Sequence, residues 1–267
     1  MTDKSEKFRW LVRLGFAARG VVYLVLGYLA LTTSGEAGGG GEAVMDLLRD
    51  VPLGNVLLWV MAVGLLAYAA FKFLSAVADI QHRGSDGKGI AKRIGDGASA
   101  VAHTILAYAA LQYATGAAAD ASDGSEGSRQ AAGSVLELPL GDVLVGLVGV
   151  GFLVGAAMQA KSAATAGFMS HVSARAPDII RPIGQVGHAA RAIVFAVIGW
   201  SLMRSAWFDS EAQVKGLGDA VLSLRDNGTL YTIVAAGLLL FGLFGLIVAR
   251  YRIVPDVHAS DLRPKVG

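Results

Sequence analysis

Apolar residues in this chain come in six long blocks rather than in the alternating or three-four stripes of soluble strands and helices. The blocks run at about Leu14–Thr33, Leu53–Phe71, Gly97–Ala117, Leu140–Ala160, Val186–Ser205 and Thr229–Ala249. Each is nearly free of charge through its middle and reaches the roughly 20 residues that a helix needs to cross a bilayer. A helix of that length at the surface of a soluble core carries a polar face, which these blocks mostly lack. The pattern predicts an all-α, polytopic membrane protein with six transmembrane helices. The first block is too long for the apolar part of a signal peptide. It is followed by "TTSGEAGGGGE" with no A-x-A site, so it is expected to be the first membrane helix.

The polar positions between blocks give an orientation. The N-terminus, second loop, fourth loop and C-terminus hold Lys4, Lys7, Arg9, Arg13, Lys88, Lys92, Arg93, Arg175, Arg181, Arg250, Arg252, Arg263 and Lys265. The first, third and fifth loops hold Glu36, Glu42, Asp46, Asp50, Asp120, Asp123, Glu126, Asp209, Glu211 and Asp219, with few basic residues. Cytoplasmic loops are the basic ones, which predicts a multi-pass protein of the cell (cytoplasmic) membrane with both termini cytoplasmic. "GEAGGGGE" at Gly35–Glu42 is expected to be a flexible outer loop, since no G-K-[ST] follows it. Asp120–Glu126 is expected to be a second, acidic outer loop.

Composition agrees with the pattern. The 267-residue chain is 54% hydrophobic and 16% charged, with mean hydropathy +0.54, whereas soluble domains run at about 25% charged. Its 35 glycines suit close helix packing in lipid. The absence of cysteine removes disulfides, thiolate metal sites and cysteine nucleophiles. A net charge of only +2 gives no general attraction to nucleic acid.

The blocks are also related to one another. "GFAARGVVYLVLGY" from Gly15 and "GHAARAIVFAVIGW" from Gly187 share seven of fourteen positions, and "GDGASAVAHTILAY" from Gly95 aligns with both without gaps. Second helices match as well. "PLGNVLLWVMAVG" from Pro52 aligns with "PLGDVLVGLVGVG" from Pro139, which puts Gly64, Gly151 and Gly237 in register. The unit is two helices written three times, at spacings of 80 and 92 residues. A unit repeated in this way does not bury its own faces alone. Two crossings per unit make the copies parallel, related by an axis along the membrane normal, which predicts pseudo-threefold symmetry. The copies divide the chain at 1–93, 94–181 and 182–267, the last with a cytoplasmic tail, and together they form one membrane domain.

On these residues, above all the "AARGVVY" element, the chain resembles the bacterial integral membrane proteins of the domain of unknown function 1206, described as three copies of a two-helix unit. The resemblance covers essentially the whole chain. It implies location and topology, and brings no activity with it. The second copy departs from the pattern, with Ser99 in place of the arginine and His103 in place of the aromatic residue.

Spacings of three, four and seven share a helix face. Copy one places Phe16, Arg19 and Tyr23 on that face, copy two Asp96, Ser99 and His103, and copy three His188, Arg191 and Phe195. If the three faces turn inward, Arg19, Asp96, Ser99, His103, His188 and Arg191 gather near the cytoplasmic side. That cluster is either a small anionic site for a lipid phosphate or metabolite, or a structural one in which Asp96 pairs with an arginine and the others snorkel to the headgroups. A bis-histidine haem does not suit His103 and His188. They differ by seven positions in register on parallel helices, about 10 Å of depth at 1.5 Å per residue. No cofactor and no metal are expected. Gly151–Gly155 is a G-x-x-x-G expected to serve intrachain packing, with dimerisation as the alternative.

The function classes narrow accordingly. All six prolines fall at helix ends or loops, which argues against the broken mid-membrane helices of many transporters. No selectivity filter, catalytic triad, paired carboxylates or metalloprotease arrangement is evident. The expectation is a non-enzymatic structural or accessory membrane protein that binds membrane lipids, a membrane protein partner or a second copy of itself, and no nucleic acid. A small-molecule or ion carrier or channel is the alternative.

Overall fold

The computed structural model describes residues 4–32, 54–117 and 124–254. The Gly35–Glu42 stretch, Pro52, Asp120, Asp123 and the chain beyond residue 254 lie outside the described residues. Among those described, all regular structure is helical: α1 (Lys4–Thr32), α2 (Gly54–Val77), α3 (Gly87–Thr115), α4 (Gly124–Leu136), α5 (Gly141–Thr165), α6 (Ile180–Phe208), the short α7 (Leu217–Leu222) and α8 (Gly228–Tyr251). The helix ends follow from local chemistry. Asp86 caps α3 by accepting from the Gly89 amide, and Asn227 caps α8 by accepting from Leu230, each satisfying an amide that the first turn leaves without a partner. Gly116, at φ 77°, ends α3 in the left-handed turn that only glycine adopts without strain. Pro182 sits in the first turn of α6, where a missing N–H costs nothing. Glu126, expected in a loop, lies instead within α4.

Among the described residues, five helices are long and apolar enough to cross a membrane: α1 over Arg9–Thr32, α2, α5, α6 and α8. The third of the six expected segments is different. At 29 residues α3 is long enough, but it is built largely of Ala, Gly, Ser and Thr and carries His103 and Gln112, so its apolar character falls short.

The six long helices pack in a definite order. α3 lies along α2, α6 along α5, and α1 along α8; smaller interfaces join α1 to α2 and α6 to α8. In terms of the repeat, the first helix of each copy packs on the second helix of another copy. The two helices of one copy also pack together in copies one and three. In copy two, α3 and α5 do not form a packed interface.

Glycine makes these approaches possible. A side chain at Gly27 would come within 2.5 Å of the Leu239 backbone, and Gly242 faces the Leu24 backbone as closely. Gly149 and Gly199 make the same kind of contact between α5 and α6. Within copies one and three, Gly15 lies under Tyr68 and Gly187 under Phe241, each 2.7 Å from where a Cβ would stand, while Gly64 meets Ala18 and Gly237 meets Ala190. The corresponding positions of copy two, Gly95 and Gly151, face nothing within 4 Å. In the G-x-x-x-G of α5, then, only Gly155 packs within the chain, against the Phe195 ring.

The segments after the second helices meet at one end. Arg83, after α2, pairs with Asp96 of α3 at 3.1 Å. Phe168, after α5, stacks on His188 of α6 at 4.9 Å. Arg252, after α8, lies over Phe16 of α1 at 4.3 Å. Phe16, Asp96 and His188 are equivalent positions of the repeat, and each is covered by the segment that leaves a different copy. Residues 171–173 and 251–253 are further joined by backbone hydrogen bonds of 2.8 and 2.9 Å. At the opposite end Tyr231 donates to the Ala30 carbonyl at 2.5 Å, and Arg129 pairs with Asp219 at 3.6 Å.

Candidate functional site: an arginine pair in an aromatic cage

The inward faces of α1 and α6 do converge, and α8 stands between their arginines. The Arg19 guanidinium lies 5.2 Å from the Phe16 ring, 5.1 Å from Tyr68 and 5.2 Å from Phe241. It donates to the Tyr68 hydroxyl at 2.7 Å. The Arg191 guanidinium lies 5.0 Å from Tyr23, 4.6 Å from Phe195 and 4.6 Å from Phe241. Phe241 is therefore within cation–π reach of both arginines. Ring faces are negative, and attraction to them is worth about 0.5–2 kcal/mol per contact, most when water is excluded. Both Nε atoms are sealed from solvent and have no hydrogen-bond acceptor. Among the described residues, no carboxylate pairs with either arginine.

The rest of the expected cluster divides. Asp96 does not join the arginine pair. It is buried and held by Lys72 Nζ at 2.6 Å and Arg83 Nε at 3.1 Å. Both partners come from copy one, because α3 packs on α2 and lies beside the turn that leaves it. His103 donates through Nδ1 to the Ser99 carbonyl at 2.7 Å, and its ring lies 4.5 Å from Tyr68. Ser99 Oγ stands 3.4 Å from the same nitrogen. His188 donates through Nδ1 to Gln159 of α5, and its Nε2 is buried with no partner. Phe168, Phe241 and Phe244 surround that ring. The two histidines are on different neighbours, one against Tyr68 and one against Gln159. No group of three His, Asp or Glu side chains is gathered for a metal among the described residues.

The cage walls contributed by second helices were missing from the sequence reading. Tyr68 and Phe241 each lie four residues after the aligned glycines Gly64 and Gly237, so their equivalence was legible; that they face the arginines was not. Copy two carries Gly155 at that position.

Comparison of the chain with known proteins finds the same threefold repeat. The family described as Domain of Unknown Function (DUF1206) matches at residues 14–79, 94–166 and 186–252. The chain belongs to the DUF1206 family. Each match begins within a first helix and ends just after the corresponding second helix, so the DUF1206 unit is the two-helix repeat. The chain is also similar to the uncharacterized protein YxxB of Bacillus subtilis (strain 168), 32% identical over 262 residues, covering 93% of this chain and 94% of that protein. No solved structure matches.

Proposed function

We propose that this DUF1206 protein is a non-enzymatic, lipid-binding protein of the cytoplasmic membrane, in which Arg19 and Arg191 hold one anionic headgroup. The observation that carries this reading is the pair of guanidinium groups inside an apolar bundle with no carboxylate beside them. A cation at the centre of a membrane helix costs about 2.5–3.5 kcal/mol on insertion scales, and two like charges around one ring repel. Aromatic faces offset part of that cost. A phosphate between the two would offset more, since guanidinium and phosphate geometry match.

The reading includes six spans in pseudo-threefold order, with α3 crossing beside α2. Support comes from the packing of each first helix on the second helix of another copy, and from the equivalent contacts made by Arg83, Phe168 and Arg252. Both termini are cytoplasmic in this reading, because the basic loops lie at the end where residues 171–173 and 251–253 pair.

The test is direct binding. The purified protein is equilibrated with phosphatidylcholine vesicles containing headgroup-labelled phosphatidylglycerol, reisolated and assayed for bound label. The expected result is retention of phosphatidylglycerol over phosphatidylcholine by the natural protein, and its loss in the Arg19→Gln, Arg191→Gln double variant. Equal retention by both proteins would overturn the reading.

A further inference from the structure

Copy two is the one copy whose own two helices are not packed on each other. We propose that the seam between α3 and α5 is the lateral opening through which the acyl chains of a membrane lipid reach into the bundle while its anionic headgroup lies at the arginine pair. This rests on the lipid-binding reading above.

The seam is open because of what the second copy lacks. In copies one and three the first-helix glycine is covered by an aromatic residue of the second helix, Tyr68 on Gly15 and Phe241 on Gly187. In copy two the equivalent positions are Gly95, which meets nothing within 4 Å, and Gly155, which packs on Phe195 instead. Gly151, equivalent to the Gly64 and Gly237 that pack on Ala18 and Ala190, also meets nothing. The third arginine position is Ser99, so no third guanidinium blocks the way.

Both edges of the seam lead to the arginines. On the α3 side, His103 lies against Tyr68, which accepts from Arg19. On the α5 side, Gly155 and Phe152 contact Phe195, over which Arg191 sits, and Gln159 accepts from His188 one turn away. A membrane lipid fits this placement and a free anion does not require it. The outer parts of both edges are apolar, with Val101, Ile105, Val148 and Val154 more than half exposed, while the Lys72–Arg83 cations are already neutralised by Asp96 and the arginine pair has no carboxylate among the described residues. Acyl chains thus have an apolar path and the headgroup has two cations without a carboxylate at its end.

The experiment measures exchange rate rather than affinity. Protein loaded with headgroup-labelled phosphatidylglycerol is mixed with unlabelled phosphatidylcholine–phosphatidylglycerol vesicles, and loss of label is followed in time. Gly151→Trp and Gly95→Leu add bulk on α5 and α3 at positions where a Cβ would meet nothing within 4 Å, and each is taken forward once its thermal unfolding matches the natural protein. Ile233→Trp, on the outer surface of α8, is the control. The expected result is exchange slowed by about tenfold in either seam variant, equivalent to a barrier raised by about 1.4 kcal/mol, with the control unchanged. Unchanged exchange in both seam variants, or equal slowing in the control, overturns the lateral opening. Neither outcome touches the headgroup site, which falls only if the double arginine variant retains lipid as the natural protein does.

Discussion

Asp96 is the residue on which most charge converges. It is 5% exposed and takes two cations, Lys72 and Arg83. Removing one partner of a buried ion pair leaves the other uncompensated, at a cost of about 3–5 kcal/mol. Asp96→Asn is therefore expected to give the largest fall in thermal stability in detergent of any single polar substitution, and Lys72→Met added to it should recover part of the loss. A fall no greater than that of a surface variant would show that the cations find other partners. The arginines make a second residue-scale prediction. Lysine keeps the charge but not the planar fork, so Arg19→Lys and Arg191→Lys should both lower the melting temperature. Arg19 adds a hydrogen bond to Tyr68, worth about 0.5–1.5 kcal/mol, so its loss is expected to be the larger and Tyr68→Phe to reproduce part of it. Unaltered melting in both lysine variants would mean that the cage recognises charge alone.

Between elements, the close approaches depend on small residues in particular registers. Gly27 and Gly242 bring α1 against α8 with no room for a Cβ. Gly27→Val is expected to be strongly destabilising or to prevent folding, whereas Gly151→Ala, which meets nothing, should leave unfolding unchanged. If both variants melt alike, the α1–α8 interface does not have the tightness described. The turn segments carry a pH dependence. Partial burial and the charges of Arg252 and Arg83 hold the His171 pKa below the ordinary histidine value. A base with a depressed folded pKa binds fewer protons folded than unfolded. Its stabilising contribution is present above about pH 6.5 and is lost as the pH falls. Melting temperature should decline from neutral pH toward pH 5, and His171→Gln should shallow that decline. An identical slope in the variant would remove His171 from the account.

Across the whole molecule, the turn after α8 reaches back to the start of the chain. Arg252 covers Phe16 and Phe71 and meets Gln81 at 3.4 Å, so copies one and three are tied at one end by a residue just past α8. Ending the chain at Tyr251 removes this contact, and the truncated protein is expected to unfold at lower temperature, with Arg252→Ala giving most of the effect. Equal stability of the truncated and full-length proteins would deny the tie. Topology is open to a clean test because the chain has no cysteine. Single cysteines at Gly87 and Ala174 should react with an impermeant maleimide only from the cytoplasmic side, and one at Lys215 only from the other. Labelling of all three from one side would refute six alternating spans.

The two-helix unit, its three copies and the apolar blocks were readable along the chain, because membrane helices satisfy their own backbone and announce themselves by composition. That Arg19 and Arg191 sit on equivalent faces of their helices was also legible, since face-sharing follows from helical spacing; that those faces turn toward each other was not. Other features were decided only by packing. Asp96 went to Lys72 and Arg83 because α3 leans on the preceding copy, a choice set by which helix is the neighbour and not by spacing on α3. Tyr68 and Phe241 became the walls of the arginine cage by standing across an interface from it. Gly95 and Gly151 look in sequence like their equivalents in the other copies. They face open space because α3 and α5 do not pack on each other as the two helices of the other copies do. Whether a repeat closes depends on both faces at once, and only the tertiary structure sets those faces opposite each other.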